Sequence, residues 1–91
     1  MYKKTVVVKN KTGLHARPAA LFVQVAGNFS SSIWIQKDEK KVNAKSIMGI
    51  MSLGVSRGAT ITIMANGPDE IKAVETLAEL VSTETSDEVI G

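Results

Sequence analysis

The sequence predicts an α+β fold, an open-faced two-layer sandwich with its elements in the order βαββαβα. Four short segments alternate apolar and polar residues with the period of a strand. Three others space their apolar residues for one face of a helix, and the connections are short and rich in Gly, Asn and Pro. Each such helix needs a single cover, so the economical arrangement is one antiparallel sheet with helices on one side and water on the other. A chain of 91 residues holds one core, and 44% hydrophobic against 22% charged residues excludes intrinsic disorder. A single domain over 1–91 is expected, with 85–91 a frayed tail.

Residues 2 to 9 open the fold, with Val6 and Val8 on one face and Thr5, Val7 and Lys9 on the other. Turn chemistry follows at Asn10-Lys11-Thr12-Gly13. Beyond Leu14-His15-Ala16-Arg17-Pro18, the residues Ala19, Phe22, Val23 and Ala26 recur at helical spacing. That helix is expected to end at Gly27-Asn28, residue types that accept the left-handed conformation past a helix. Ile33 and Ile35 then alternate with Trp34 and Gln36, and the polar run Lys37-Asp38-Glu39-Lys40 reads as a hairpin turn before Val42. Ser46 to Gly54 is a short apolar segment bounded by Ser and Gly, about two turns if helical. Ile61, Ile63 and Ala65 alternate with Thr60, Thr62 and Met64, and Asn66-Gly67-Pro68 punctuates. Asp69 and Glu70 place acid in the first turn of a last helix, whose stripe of Ile71, Val74, Leu77, Ala78 and Val81 stops at Ser82. The wet side of the sheet is expected to carry Thr5, Trp34, Gln36, Thr60 and Thr62, leaving Trp34 an exposed aromatic.

Composition removes most chemistries. Without cysteine there is no disulfide, thiolate nucleophile or Cys-based zinc site, and one histidine is too few for a metal centre, so neither metal nor cofactor is expected. No apolar run approaches the ~20 residues of a membrane span. Met1-Tyr2-Lys3-Lys4-Thr5 enters alternating valines rather than a signal-peptide block, so the expectation is a cytoplasmic chain without membrane insertion. Eleven Lys and Arg outnumber nine Asp and Glu, but they are scattered, and only Tyr2, Phe22, Phe29 and Trp34 are aromatic; this argues against direct nucleic-acid binding.

His15 is the residue to weigh. It lies where a Gly-containing loop meets a helix, a junction with unpaired backbone amides and the positive end of the helix dipole. Pro18 is tolerated only in a first turn and so places the helix start within a residue or two of His15. It also biases Arg17 away from helical angles, so the free donors are the amides of Ala16 and Arg17 or those of Ala19 and Ala20. The Arg17 guanidinium fork matches phosphate oxygens. A histidine here can be a general base, a phosphate binder or a nucleophile that is itself phosphorylated. It can equally be a helix-end or surface histidine with Arg17 in a solvated salt bridge.

Gly13-Leu14-His15-Ala16-Arg17-Pro18-Ala19 and Lys45-Ser46-Ile47-Met48-Gly49-Ile50-Met51-Ser52-Leu53-Gly54 resemble two motifs of HPr, the histidine-containing phosphocarrier of the bacterial phosphoenolpyruvate-dependent sugar phosphotransferase system. The resemblance runs over roughly residues 2 to 84. It implies a four-stranded antiparallel sheet in spatial order 1-4-2-3 under three helices. It further implies that His15 accepts a phosphoryl group on Nδ1 from phospho-enzyme I and passes it to the IIA component of a sugar permease. Arg17 and the backbone amides of Ala16 and Arg17 would stabilise the charge on the moving group. Such a protein is a carrier without turnover of its own, and a shuttle that must expose its site is expected to be a monomer.

Ser46 reads from the sequence as the N-cap of a short helix, although Gly49 precludes a capping box. The resemblance implies a second role, phosphorylation by an ATP-dependent HPr kinase/phosphorylase. The added charge would hinder enzyme I and favour a LacI-type catabolite control protein, as part of carbon catabolite repression. Ile47, Met48 and Met51 fit core packing, but Gly49 and Gly54 make the helix thin and Met suits surfaces that accept several partners. With Ala20 and Leu21 they are expected to form a docking patch beside His15. Three other readings compete. A regulatory paralogue typically lacks the active histidine, a metabolite-binding α+β module gives no reason for both motifs, and a nitrogen-related phosphocarrier is disfavoured by the Ser46 segment.

Overall fold

The four alternating segments pair into one antiparallel sheet in the order β1-β4-β2-β3. The computed structural model describes residues 1–9, 14 and 16–82, without the side chains of 16 and 17, so the expected frayed tail at 85–91 lies outside the described residues. The elements are β1 (Tyr2–Val7), α1 (Ala16–Ala26), β2 (Ser32–Lys37), β3 (Lys40–Asn43), α2 (Ile47–Ser52), β4 (Thr60–Asn66) and α3 (Glu70–Ser82). This is the α+β open-faced sandwich expected from the sequence.

Directly paired residues share a face of the sheet. Val6 pairs with Ile61, and Ile63 and Ala65 pair with Ile35 and Ile33. The four isoleucines and Ala65 turn to the helices and are at most 1% exposed. α3 covers β1 and β4, α2 lies on β3, and α1 packs against both other helices. Phe22 and Leu77, both fully buried, fill the space between layers; truncating a side chain like Phe22 to Ala costs ~3–5 kcal/mol. Tyr2 and Lys4 also lie on the helix side of edge strand β1. The Tyr2 hydroxyl donates to one oxygen of Glu75 on α3, and Lys4 Nζ binds the other at 2.9 Å.

Two expectations are corrected. α1 does not end through a left-handed Gly27 or Asn28, since the positive φ values fall at Asp38, Gly54, Gly58 and Gly67 among the described residues. Instead Gly27 N–H closes the last regular turn on Val23, and Asn28 and Phe29 N–H donate to Val25 and Ala26, a tightening to three-residue spacing that satisfies the last carbonyls without a left-handed residue. Trp34 is not an exposed aromatic. It is half-buried, its cross-strand partner Met64 is only 5% exposed, and Lys41 Nζ lies 5.2 Å from its ring centroid. A large ring on a flat face covers its neighbour and attracts the cation beside it. The rest of the open face is as polar as expected, with the hydroxyls of Thr5 and Thr62 hydrogen-bonded at 3.0 Å.

Candidate functional site

The site is assembled where α1 begins and α2 ends. α1 starts at Ala16, so Arg17 is helical despite the bias imposed by Pro18, and the proline takes a first-turn position where no intrahelical donor is lost. Of the two donor sets left open above, this start favours Ala16 and Arg17, whose amides have no intrahelical acceptor. His15 and the Arg17 side chain lie outside the described residues, so their expected convergence rests on the sequence. The residue before His15 is described. Leu14 is 3% exposed, and its N–H donates to the Val55 carbonyl at 2.9 Å. The entry to α1 is thereby tied to the loop that leaves α2.

Ser46 is the N-cap of α2, with extended backbone (φ −113°, ψ 115°), its Oγ accepting from the Gly49 N–H at 3.1 Å and its carbonyl from Ile50 N–H at 3.0 Å. Gly49 packs closely, since a Cβ there would lie 3.3 Å from the Val42 Cβ and 3.4 Å from the Ser46 Oγ, so these neighbours would have to give by a few tenths of an ångström. The neighbouring cation is already engaged, with Lys45 Nζ on the Phe29 carbonyl at 2.8 Å. Neither α1 nor α2 has an acidic residue in its first turn.

Ile50 is the residue of α2 that enters the core, whereas Ile47, Met48 and Met51 are 38%, 76% and 44% exposed. Ala20 on α1 is exposed and Leu21 half-buried. The apolar surface anticipated from α2 is thus open to a partner. Two features of this region escaped the sequence reading. Lys37 and Lys40 Nζ cap carbonyls at the end of α2, those of Gly54 and Ser52, at 3.1 and 3.0 Å. The available signal was that α2 has no basic residue in its own last turn, where cations are favourable. The Leu14–Val55 bond left no local signal.

Among the described residues, no group of three or more His, Cys, Asp or Glu side chains could hold a metal ion. No described helix is long and apolar enough to cross a membrane.

An open-faced sandwich of this strand order, with an His-x-Arg-Pro segment opening α1 and a serine-capped α2, defines a phosphocarrier-type domain. The chain belongs to the HPr family of the phosphotransferase system: the family model described as "PTS HPr component phosphorylation site" matches residues 2–83. Proteins of this family are carriers rather than catalysts. The chain is 58% identical over 84 residues to the HPr-like protein Crh of Halalkalibacterium halodurans, covering 92% of this chain and 100% of that one. The crystal structure of the phosphocarrier protein HPr from Bacillus anthracis superposes with a TM-score of 0.87 at 56% identity, over 88% of this chain and 95% of that one. Crh of Bacillus subtilis, solved as a dimer with a swapped domain, superposes at 0.72 with 58% identity, over 89% and 93%. That dimer tells against the expected monomer, because a relative this similar forms a dimer and the need for an exposed site therefore does not exclude a second copy.

Proposed function

We propose that this protein is a phosphocarrier that receives a phosphoryl group on His15 from phospho-enzyme I and delivers it to IIA components of sugar permeases in the cytoplasm. The observation that carries this reading is His15 itself, followed by Ala16-Arg17-Pro18 at the start of a helix without a first-turn carboxylate. A purely regulatory relative needs no such histidine. The Nδ1 lone pair of a neutral imidazole attacks the phosphorus as the bond to the donor histidine breaks. Arg17 and the amides of residues 16 and 17 offset charge on the transferring oxygens without reorganising. The partners complete the site, so the chain needs only to present the imidazole in line with the donor.

The similarity to Crh, together with the Ser46 cap, supports a regulatory layer on the same protein. A kinase/phosphorylase adds phosphate to Ser46, at the positive end of α2, and places about two negative charges beside the apolar residues Ile47, Met48 and Met51. Docking to enzyme I weakens and a LacI-type catabolite control protein is favoured.

The test is intact mass after incubation with phosphoenolpyruvate and enzyme I, for the native chain and His15→Ala. One acid-labile phosphate, absent from the variant, is expected. An unmodified native chain beside an active, compatible enzyme I would sink the carrier reading in favour of a regulatory protein that acts through Ser46 alone.

A further inference from the structure

We infer that Leu14 and Val55 are positioning residues for the phosphoryl acceptor, an inference that rests on the carrier reading of His15. The Leu14 N–H is held by the Val55 carbonyl at 2.9 Å, and the two side chains are only 3% and 1% exposed. On the other side of the acceptor, Pro18 is buried and Ala19 fully so. The three residues between these anchors, His15, Ala16 and Arg17, carry every group the proposed transfer uses. The chain is therefore held in the core immediately before and immediately after the residues that the proposed transfer uses.

The anchor on the Val55 side is itself braced. Val55 follows Leu53, the C-cap of α2, and Gly54 at φ +64°, and the carbonyls of Ser52, the last residue of α2, and of Gly54 are held by Lys40 and Lys37 of the β2–β3 hairpin. The entry to the acceptor is therefore referenced to α2, the helix that bears Ser46 and the exposed methionines. Enzyme I docking on α2 would then fix the distance between its phosphohistidine and the acceptor. Phosphoryl transfer depends almost wholly on such alignment, and a misplacement of about 1 Å can cost ~100-fold in rate.

The discriminating experiment replaces the Leu14 amide with an ester, which deletes the N–H donor and keeps the side chain, in the full chain. Rapid-quench phosphorylation by phospho-enzyme I is measured against chain concentration. The expected result is a maximal rate lowered roughly tenfold or more, with half-saturation within about twofold of native. Gly54→Ala perturbs the same bond from the acceptor side by straining the backbone, and nothing lies within 4 Å of the added Cβ. It should show the same signature, and it keeps the test alive if the ester chain does not fold. A maximal rate within about twofold of native in a folded variant, or a change confined to half-saturation, overturns the positioning role. If the native chain itself takes no phosphate, the carrier reading fails first, and that outcome is distinct from the other two.

Discussion

Helices α3 and α2 begin in opposite ways. The residue before α3, Asp69, places its carboxylate on the N–H groups of Ser30 and Ser31 at 2.9 and 3.0 Å and accepts from both hydroxyls as well. Glu70 accepts the Gly67 N–H at 3.1 Å. That helix start is filled by the chain's own anions, which clamp the loop after α1 to α3. α2 starts on a neutral serine hydroxyl with one accepted bond, and neither it nor α1 has acid in its first turn. Every helix start attracts negative charge. A carboxylate built in at one makes a structural joint, whereas leaving it out at the others keeps them receptive to charge that arrives by phosphorylation, as proposed for His15 and Ser46.

The joint at the start of α3 is most sensitive at Gly67. A Cβ there would lie 2.5–2.8 Å from the Oγ, Cα and Cβ of Ser31, part of it rigid backbone. Gly67→Ala is expected to cost about 3 kcal/mol and to lower the melting midpoint by roughly 12–24 °C, measured by thermal unfolding. A smaller loss is expected for Asp69→Asn, and its signature is pH. The Ser31 hydroxyl first, then the Ser30 amide, hold the Asp69 carboxyl at about 2, below its ordinary 3.8. A depressed carboxylate stabilises the fold above its unfolded value and ceases to do so as pH falls through the folded one. The native melting midpoint should therefore fall between about pH 4 and pH 2, less steeply in Asp69→Asn. Glu70 and Glu75, lowered by the Gly67 amide and the Tyr2 hydroxyl respectively, keep part of the slope.

At the other kind of helix start, Ser46→Ala should cost only about 1 kcal/mol in chemical denaturation, while abolishing ATP-dependent phosphorylation at that residue. The smallest structural effect belongs to Met48→Ala. At 76% exposure it should leave stability within about 0.5 kcal/mol, yet weaken enzyme I binding roughly tenfold in a titration. Unchanged binding there would separate the exposed α2 surface from docking.

Much of this architecture was legible because it is periodic. The alternation that sets Ile33 and Ile35 on one side of β2, and Ile61, Ile63 and Ala65 on one side of β4, is a local signal that burial then obeys. The stripe through Val74, Leu77, Ala78 and Val81 is another, whereas Ile71, expected to head it, lies in the first turn of α3 and is 59% exposed. The Asp69 clamp was only half legible. Acid in the first turn of α3 was read as a dipole effect, while its partners at Ser30 and Ser31 stand far away in sequence and carry no periodic mark. Trp34 departs from the exposed position its sequence suggests for the same reason, since Met64 and Lys41 reach it across strands. At the site the residue types of His15, Arg17 and Ser46 stood out at once, but the Leu14–Val55 bond and the lysines on the end of α2 exist only after the chain has folded.

Trp34 has a practical consequence. It is the chain's single tryptophan, and it stands on the side of the sheet that the three helices leave open, beside Lys41. Its emission is a built-in optical gauge of sheet integrity, on the face of the sheet opposite the helices. A partner seated on those helices should leave the signal nearly still, so a spectral shift during a binding titration would report that the strands themselves had rearranged.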